Sequence, residues 1–73
     1  MYTEKIQKLE NEILELKKYI KKDKKEIKKR EKILSMVVDE EIEVEIDMYK
    51  EEIEVFENQL KTKKELIKNY KKL

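Results

Sequence analysis

The apolar residues of this chain recur in steps of three and four. Ile6, Leu9, Ile13, Leu16 and Ile20 keep that spacing, and Ile27, Leu34 and Val37 extend it. A second run follows the same rule: Ile42, Ile46, Tyr49, Ile53, Phe56, Leu60, Ile67 and Tyr70. These are a and d positions of heptads, the pattern by which one helix buries a narrow face against another. Not one of the 73 residues is Gly or Pro, so nothing breaks either run. A chain with 51% charged residues and few apolar ones can be disordered. The periodicity argues otherwise and predicts an all-α fold.

The two runs do not share one register. With Leu34 at an a position, continued heptads place the next a positions at Glu41, Met48 and Val55, whereas the observed stripe places them at Ile46, Ile53 and Leu60. A slip of this kind means a turn, or local unwinding of one long helix. It falls in residues 35–48, "SMVVDEEIEVEIDM", whose apolar–acidic alternation also fits a strand. No second strand-like run exists to pair with it, and a lone strand is not a stable element.

Charge favours the turn. Residues 1–16 carry a net −2, residues 17–32 a net +7, residues 33–57 a net −9 and residues 58–73 a net +5. Folding the chain back near Val38 lays the +7 block beside the −9 block. A parallel dimer of one long helix would instead place each block against its own copy.

Core pairing favours it too. In an antiparallel hairpin whose facing residue numbers sum to 76, Leu34 meets Ile42, Ile27 meets Tyr49 and Ile20 meets Phe56. The same register pairs Leu16 with Leu60, Leu9 with Ile67 and Ile6 with Tyr70. One alignment satisfies six layers, and such agreement across independent features marks a specified fold.

The expected architecture is therefore a long antiparallel two-helix hairpin forming a single domain over 1–73. Its helices span 3–36 and 40–72, with a turn at 37–39. Asp39 suits an N-cap, with Glu40 and Glu41 behind it at the positive end of the second helix. Thr3 followed by Glu4 offers a weaker start for the first.

Polar residues interrupt the seam at Asp23, Arg30 and Lys63, which face Ile53, Ile46 and Ile13. Arg30 and Lys63 are long enough to send their charges past the seam. Asp23 is not, and a buried polar residue of this kind can fix register at a cost in stability. Beside the seam, Lys24 is placed to reach Glu57 and Glu31 to reach Lys50, while Glu26 falls near Glu45 and Glu52.

Several function classes are unsupported. There is no Cys for disulfides or thiolate metal sites, and no His. General acid–base or nucleophilic chemistry would fall on carboxylates, Lys, Tyr or Ser35, on helices that look solvated. The expectation is no catalysis, no metal, no cofactor and no small-molecule substrate. Glu41 and Glu45 stand four apart, as carboxylates of di-metal bundles do, but the Glu-x-x-His partner of such sites is impossible here. No stretch is apolar enough to span a membrane, and "MYTEKIQKLE" has no signal-like apolar region, which points to a cytoplasmic setting. Lys outnumbers Arg 18 to 1. That bias suggests an AT-rich genome and, with the small size, a small bacterial or phage protein.

What remains is contact. Val44, Met48 and Val55 form an apolar stripe off the seam, continuous with Met36, Val37 and Val38 at the turn. Apolar residues at helical spacing outside the core mark a docking face for a second copy or another protein. Two hairpins joined there would make a four-helix bundle. The expected function is a non-enzymatic interaction module, such as a phage or mobile-element adaptor or inhibitor. The alternative is a nucleic-acid-binding helical dimer using residues 17–32, with Lys21, Lys22, Lys25, Lys28, Lys29 and Arg30 on phosphates. The near-neutral balance of +1 and the scarcity of aromatics in that run weigh against it.

The two-helix plan and "ELIKNYKK" at 65–72 loosely resemble the small sporulation phosphatases that act on a response regulator. Their Ser-Gln-x-x-Asp signature is missing, however, and "LKTKK" at 60–64 stands in its place. The plan is also similar in shape to plasmid copy-number regulators built as RNA-binding dimers of helical hairpins. Shape alone does not carry function, and neither resemblance assigns a family.

Overall fold

The computed structural model describes residues 2–73 and is an antiparallel helical hairpin. Helix α1 spans Thr3–Leu34 and α2 spans Glu40–Lys72. They pack along their whole length into a rod of 56 × 14 × 13 Å. That length matches a 33-residue helix, about 50 Å at 1.5 Å per residue.

The core is the heptad seam. The a and d positions from Ile6 to Leu34 and from Ile42 to Tyr70 are all buried or half-buried. Among the described residues only Glu12, Glu26 and Asp39 join them; every other side chain is exposed. Burial is deepest at Ile13, Leu16, Ile27 and Ile46. Two helices can enclose only one stripe each, so the periodicity that predicts the fold also exhausts its core.

The turn forms without glycine, and no described residue has positive φ. Helix α1 ends at Leu34, two residues earlier than the expected Met36. Its last carbonyls are met locally: Ser35 N–H donates to Glu31, Met36 N–H and Val37 N–H both donate to Ile33, and Ser35 Oγ donates to Lys32. The backbone tightens over the last turn before Val37 and Val38 leave it, as helix C-termini do when no αL cap is present. Asp39 then takes an extended conformation, and its Oδ1 accepts from Glu41 N–H at 2.9 Å. Glu40, Glu41 and Glu43 fill the first turn of α2, where the helix dipole favours negative charge.

At the open end, Thr3 is the first helical residue and not a cap. The N-cap is Tyr2, with no side-chain hydrogen bond. The Tyr2 ring instead stacks on Tyr70 at 5.1 Å, with Lys5 Nζ 5.9 Å from both ring centres. Aromatic packing between the arms holds this end where no cap does.

Candidate interaction surfaces

Three kinds of surface compete for a functional role: a polar strip along one edge of the seam, an apolar tip with its stripe, and the basic back of α1.

The seam positions the polar strip. An antiparallel pair has two edges, one flanked by the g positions of both helices and one by the e positions. Among the described residues, the hydrogen-bonded and aromatic contacts between the arms other than Tyr2–Tyr70 and Arg30–Tyr49 join a d residue to a g residue. Arg30 Nε donates to Glu45 at 2.6 Å, and Lys63 Nζ donates to Glu12 at 2.8 Å. Tyr19 meets Phe56 with centroids 5.7 Å apart, and Lys5 lies over Tyr70.

Arg30 is the centre of this strip. Its Nη1 donates to both the carboxylate and the carbonyl of Glu26, at 2.7 and 3.2 Å, and its guanidinium lies 4.7 Å from the Tyr49 ring centre. The expected clash of Glu26 with Glu45 is thereby resolved, because one cation lies between them. Hydrogen bonding to these carboxylates raises the Arg30 pKa further. The Arg30 hydrogen bond, with Lys29 3.6 Å away, holds the Glu26 carboxyl below its ordinary value. The Lys63 hydrogen bond does the same for Glu12. The expected pairs Lys24–Glu57 and Glu31–Lys50 are not among the ion pairs of the described residues. All four lie at e positions, along the other edge of the seam.

Asp23 is the exception in sign. It is 5% exposed, and its Oδ2 has no hydrogen-bond partner. Glu52 faces it across the seam, and hydrogen bonding with Asp23, burial and the Asp23 charge together push the Glu52 carboxyl pKa up, with Lys22 acting the other way. A second carboxyl so close disfavours the charged form of Glu52. Pairing by facing layers sets Asp23 against Ile53 and overlooks Glu52. The missed signal is that Glu52 is the g residue just before Ile53, as Glu45 is before Ile46.

The tip holds Met36, Val37 and Val38, all exposed, with Val38 at 93%. Neither helix covers them. The stripe residues Val44, Met48 and Val55, with Leu66 beyond them, are 40 to 63% exposed. An open hollow on the same side of α2 is lined by Val55, Asn58, Gln59, Thr62, Lys63 and Leu66. A second hollow, lined by Arg30, Glu45, Met48, Tyr49 and Glu52, connects the stripe to the polar strip.

The basic back of α1 is split. Lys21, Lys22, Lys25 and Lys28 are exposed and make no ion pair among the described residues. Lys29 contacts Glu26, and Arg30 is committed to the seam edge. Arg30 therefore does not join the other five on one surface. No helix is long and apolar enough to cross a membrane.

Compared with known proteins, the chain matches no family model, no curated protein and no solved structure.

Proposed function

We propose that this hairpin is a non-enzymatic interaction module, acting in the cytoplasm of a bacterium or its phage, that binds protein through its tip and outer stripe. The observation that carries this reading is the tip, where three consecutive apolar residues, Met36, Val37 and Val38, stand exposed. A hairpin has no need of apolar side chains there, since turns of this kind are usually polar. Contiguous exposed apolar surface is characteristic of contact sites. The rod places the tip about 50 Å from the chain ends, where a partner can reach it unobstructed.

The test is site-specific photo-crosslinking from position 38 in the source cell, compared with position 28 on the basic back. A discrete protein adduct from position 38, lost on Met36→Lys, supports the reading. Identical adducts from both positions overturn it.

A second reading is favoured by one observation, the four exposed and unpaired lysines on the back of α1. They would bind nucleic acid phosphates without reading bases. No binding to an RNA and DNA panel at about 50 mM salt rules this out, since counterion release makes low salt the most permissive condition.

A further inference from the structure

We propose that the outer stripe of α2 is the docking face for a second copy of this chain, packed antiparallel about a two-fold axis at Val55. The inference rests on the contact-surface reading above and deepens it by naming the occupant of the stripe, which leaves the tip for another partner.

At 100° per residue, Val44, Met48, Val55, Gln59, Thr62 and Leu66 fall within an arc of about 60°. That arc lies directly opposite Ile46, which faces the seam. From Val44 to Leu66 it contains no charged residue, in a chain half of whose residues are charged. All six are exposed. Helix α2 thus has an uncharged face opposite the seam, and α1 does not cover it.

The second face is self-complementary. Val44 and Leu66 lie equally far from Val55 on either side, and so do Met48 and Thr62. An antiparallel copy centred on Val55 therefore sets Val44 against Leu66, Met48 against Thr62 and Val55 against itself. A two-fold interface requires this, because the same patch must match its own reverse.

Charge selects the same arrangement. Residues 40–54 of α2 carry eight acidic residues and one Lys, a net −7. Residues 56–72 carry six Lys and two Glu, a net +4. An antiparallel copy lays −7 against +4 twice. A parallel copy lays −7 on −7, and like charges in register are destabilising. Because this face lies opposite the seam, the four helices would lie side by side in one layer, with the two α2 helices inside and the α1 helices outside, and not in the four-helix bundle expected from spacing alone.

The chain contains no cysteine, so single introduced thiols report the register cleanly. Val55→Cys should form an intermolecular disulfide on mild oxidation. Val44→Cys and Leu66→Cys should each stay uncrosslinked alone but form a mixed dimer when combined. Light scattering on the untreated chain should give twice the chain mass. Val55→Glu should weaken dimerisation at least about tenfold, roughly 1.4 kcal/mol, with helicity by circular dichroism unchanged. A chain that is monomeric at high micromolar concentration overturns the proposal. So does a Leu66→Cys variant that crosslinks to itself, or a Val38→Cys variant that crosslinks while Val55→Cys does not. A monomer whose position-38 adduct persists overturns this inference and leaves the tip reading standing. A Val55-centred dimer without any tip adduct does the reverse.

Discussion

Asp23 and Arg30 occupy the same d position one heptad apart, and each faces a g-position glutamate, Glu52 and Glu45, also one heptad apart. The backbone treats the two layers alike. At Arg30 a long cation reaches past the seam, gathers Glu26 and Glu45 and covers Tyr49. At Asp23 a short carboxyl side chain stays inside the seam, leaves one oxygen unpartnered and meets a second carboxyl. Equivalent geometry thus yields opposite electrostatics, decided by side-chain length and sign. A long side chain at a seam position can carry its charge to water and to partners, and a short one cannot. Among the described residues the Asp23 layer is the one with an unpartnered buried side-chain oxygen, and the Arg30 layer ties its polar group to three others.

The largest effect should come from abolishing the difference at Asp23. Asp23→Leu removes a buried, partly unsatisfied carboxylate and fills the seam with an apolar side chain. Relief of a buried unsatisfied polar group is worth about 1–3 kcal/mol, so the urea midpoint should rise by a clear margin at pH 7. If stability instead falls, Asp23 has a partner that the hairpin alone does not supply. If stability rises but the thiol register of the dimer becomes mixed, Asp23 is a register device retained at the expense of stability.

A smaller change of opposite sign should follow at the other layer. Arg30→Met keeps the apolar stem over the seam but leaves Glu26 and Glu45 facing each other without their cation. The urea midpoint should fall, by less than Asp23→Leu raises it, because the freed carboxylates turn partly to solvent. The double variant Arg30→Met with Glu45→Gln should recover part of the loss. No recovery would show that the stacking on Tyr49, and not the charge, makes this layer firm.

How much of this was legible in the sequence follows from which interactions have a period. The seam, the antiparallel register and the two-helix plan were legible because a and d positions repeat and six layers agree. The Asp39 cap was legible because a short acidic side chain ahead of a glutamate-rich turn has one local use. The end of α1 was not, since without Gly or Pro the stop is set by backbone tightening that the residue types of 35–37 do not announce. The start of α1 at Thr3 was legible, but the stacking of Tyr2 on Tyr70 at that end joins residues far apart in the chain and has no local signal. The g-edge contacts were half legible: register alone puts Glu26 near Glu45, where both meet Arg30, but the pairing of Glu52 with Asp23 needs the offset between facing layers and flanking residues. The exposed stripe was visible as spacing; which molecule covers it is a question that residue spacing alone does not answer.

The smallest expected effect is a pH dependence that separates the two layers. Contact with Asp23 holds the folded Glu52 carboxyl above its ordinary value of 4.5. The folded chain therefore keeps a proton that the unfolded chain releases. That contribution is fully present below the unfolded value and is lost as pH rises through the folded one. Glu12 and Glu26 behave in the opposite sense, being held low by Lys63 and Arg30. Their contribution stands above the unfolded value and is lost as pH falls through the folded ones. Acidification from neutrality should thus first strengthen the hairpin, through Glu52, and then weaken it, through Glu12 and Glu26. Glu52→Gln is neutral at every pH and can donate to Asp23 throughout. Its urea midpoint should exceed that of the unaltered chain most at neutral pH, and the gap should close as pH falls to 4.5 and below. A gap that stays constant across the titration would mean that Asp23 does not raise the Glu52 carboxyl, and the contrast between the layers would then be one of packing alone.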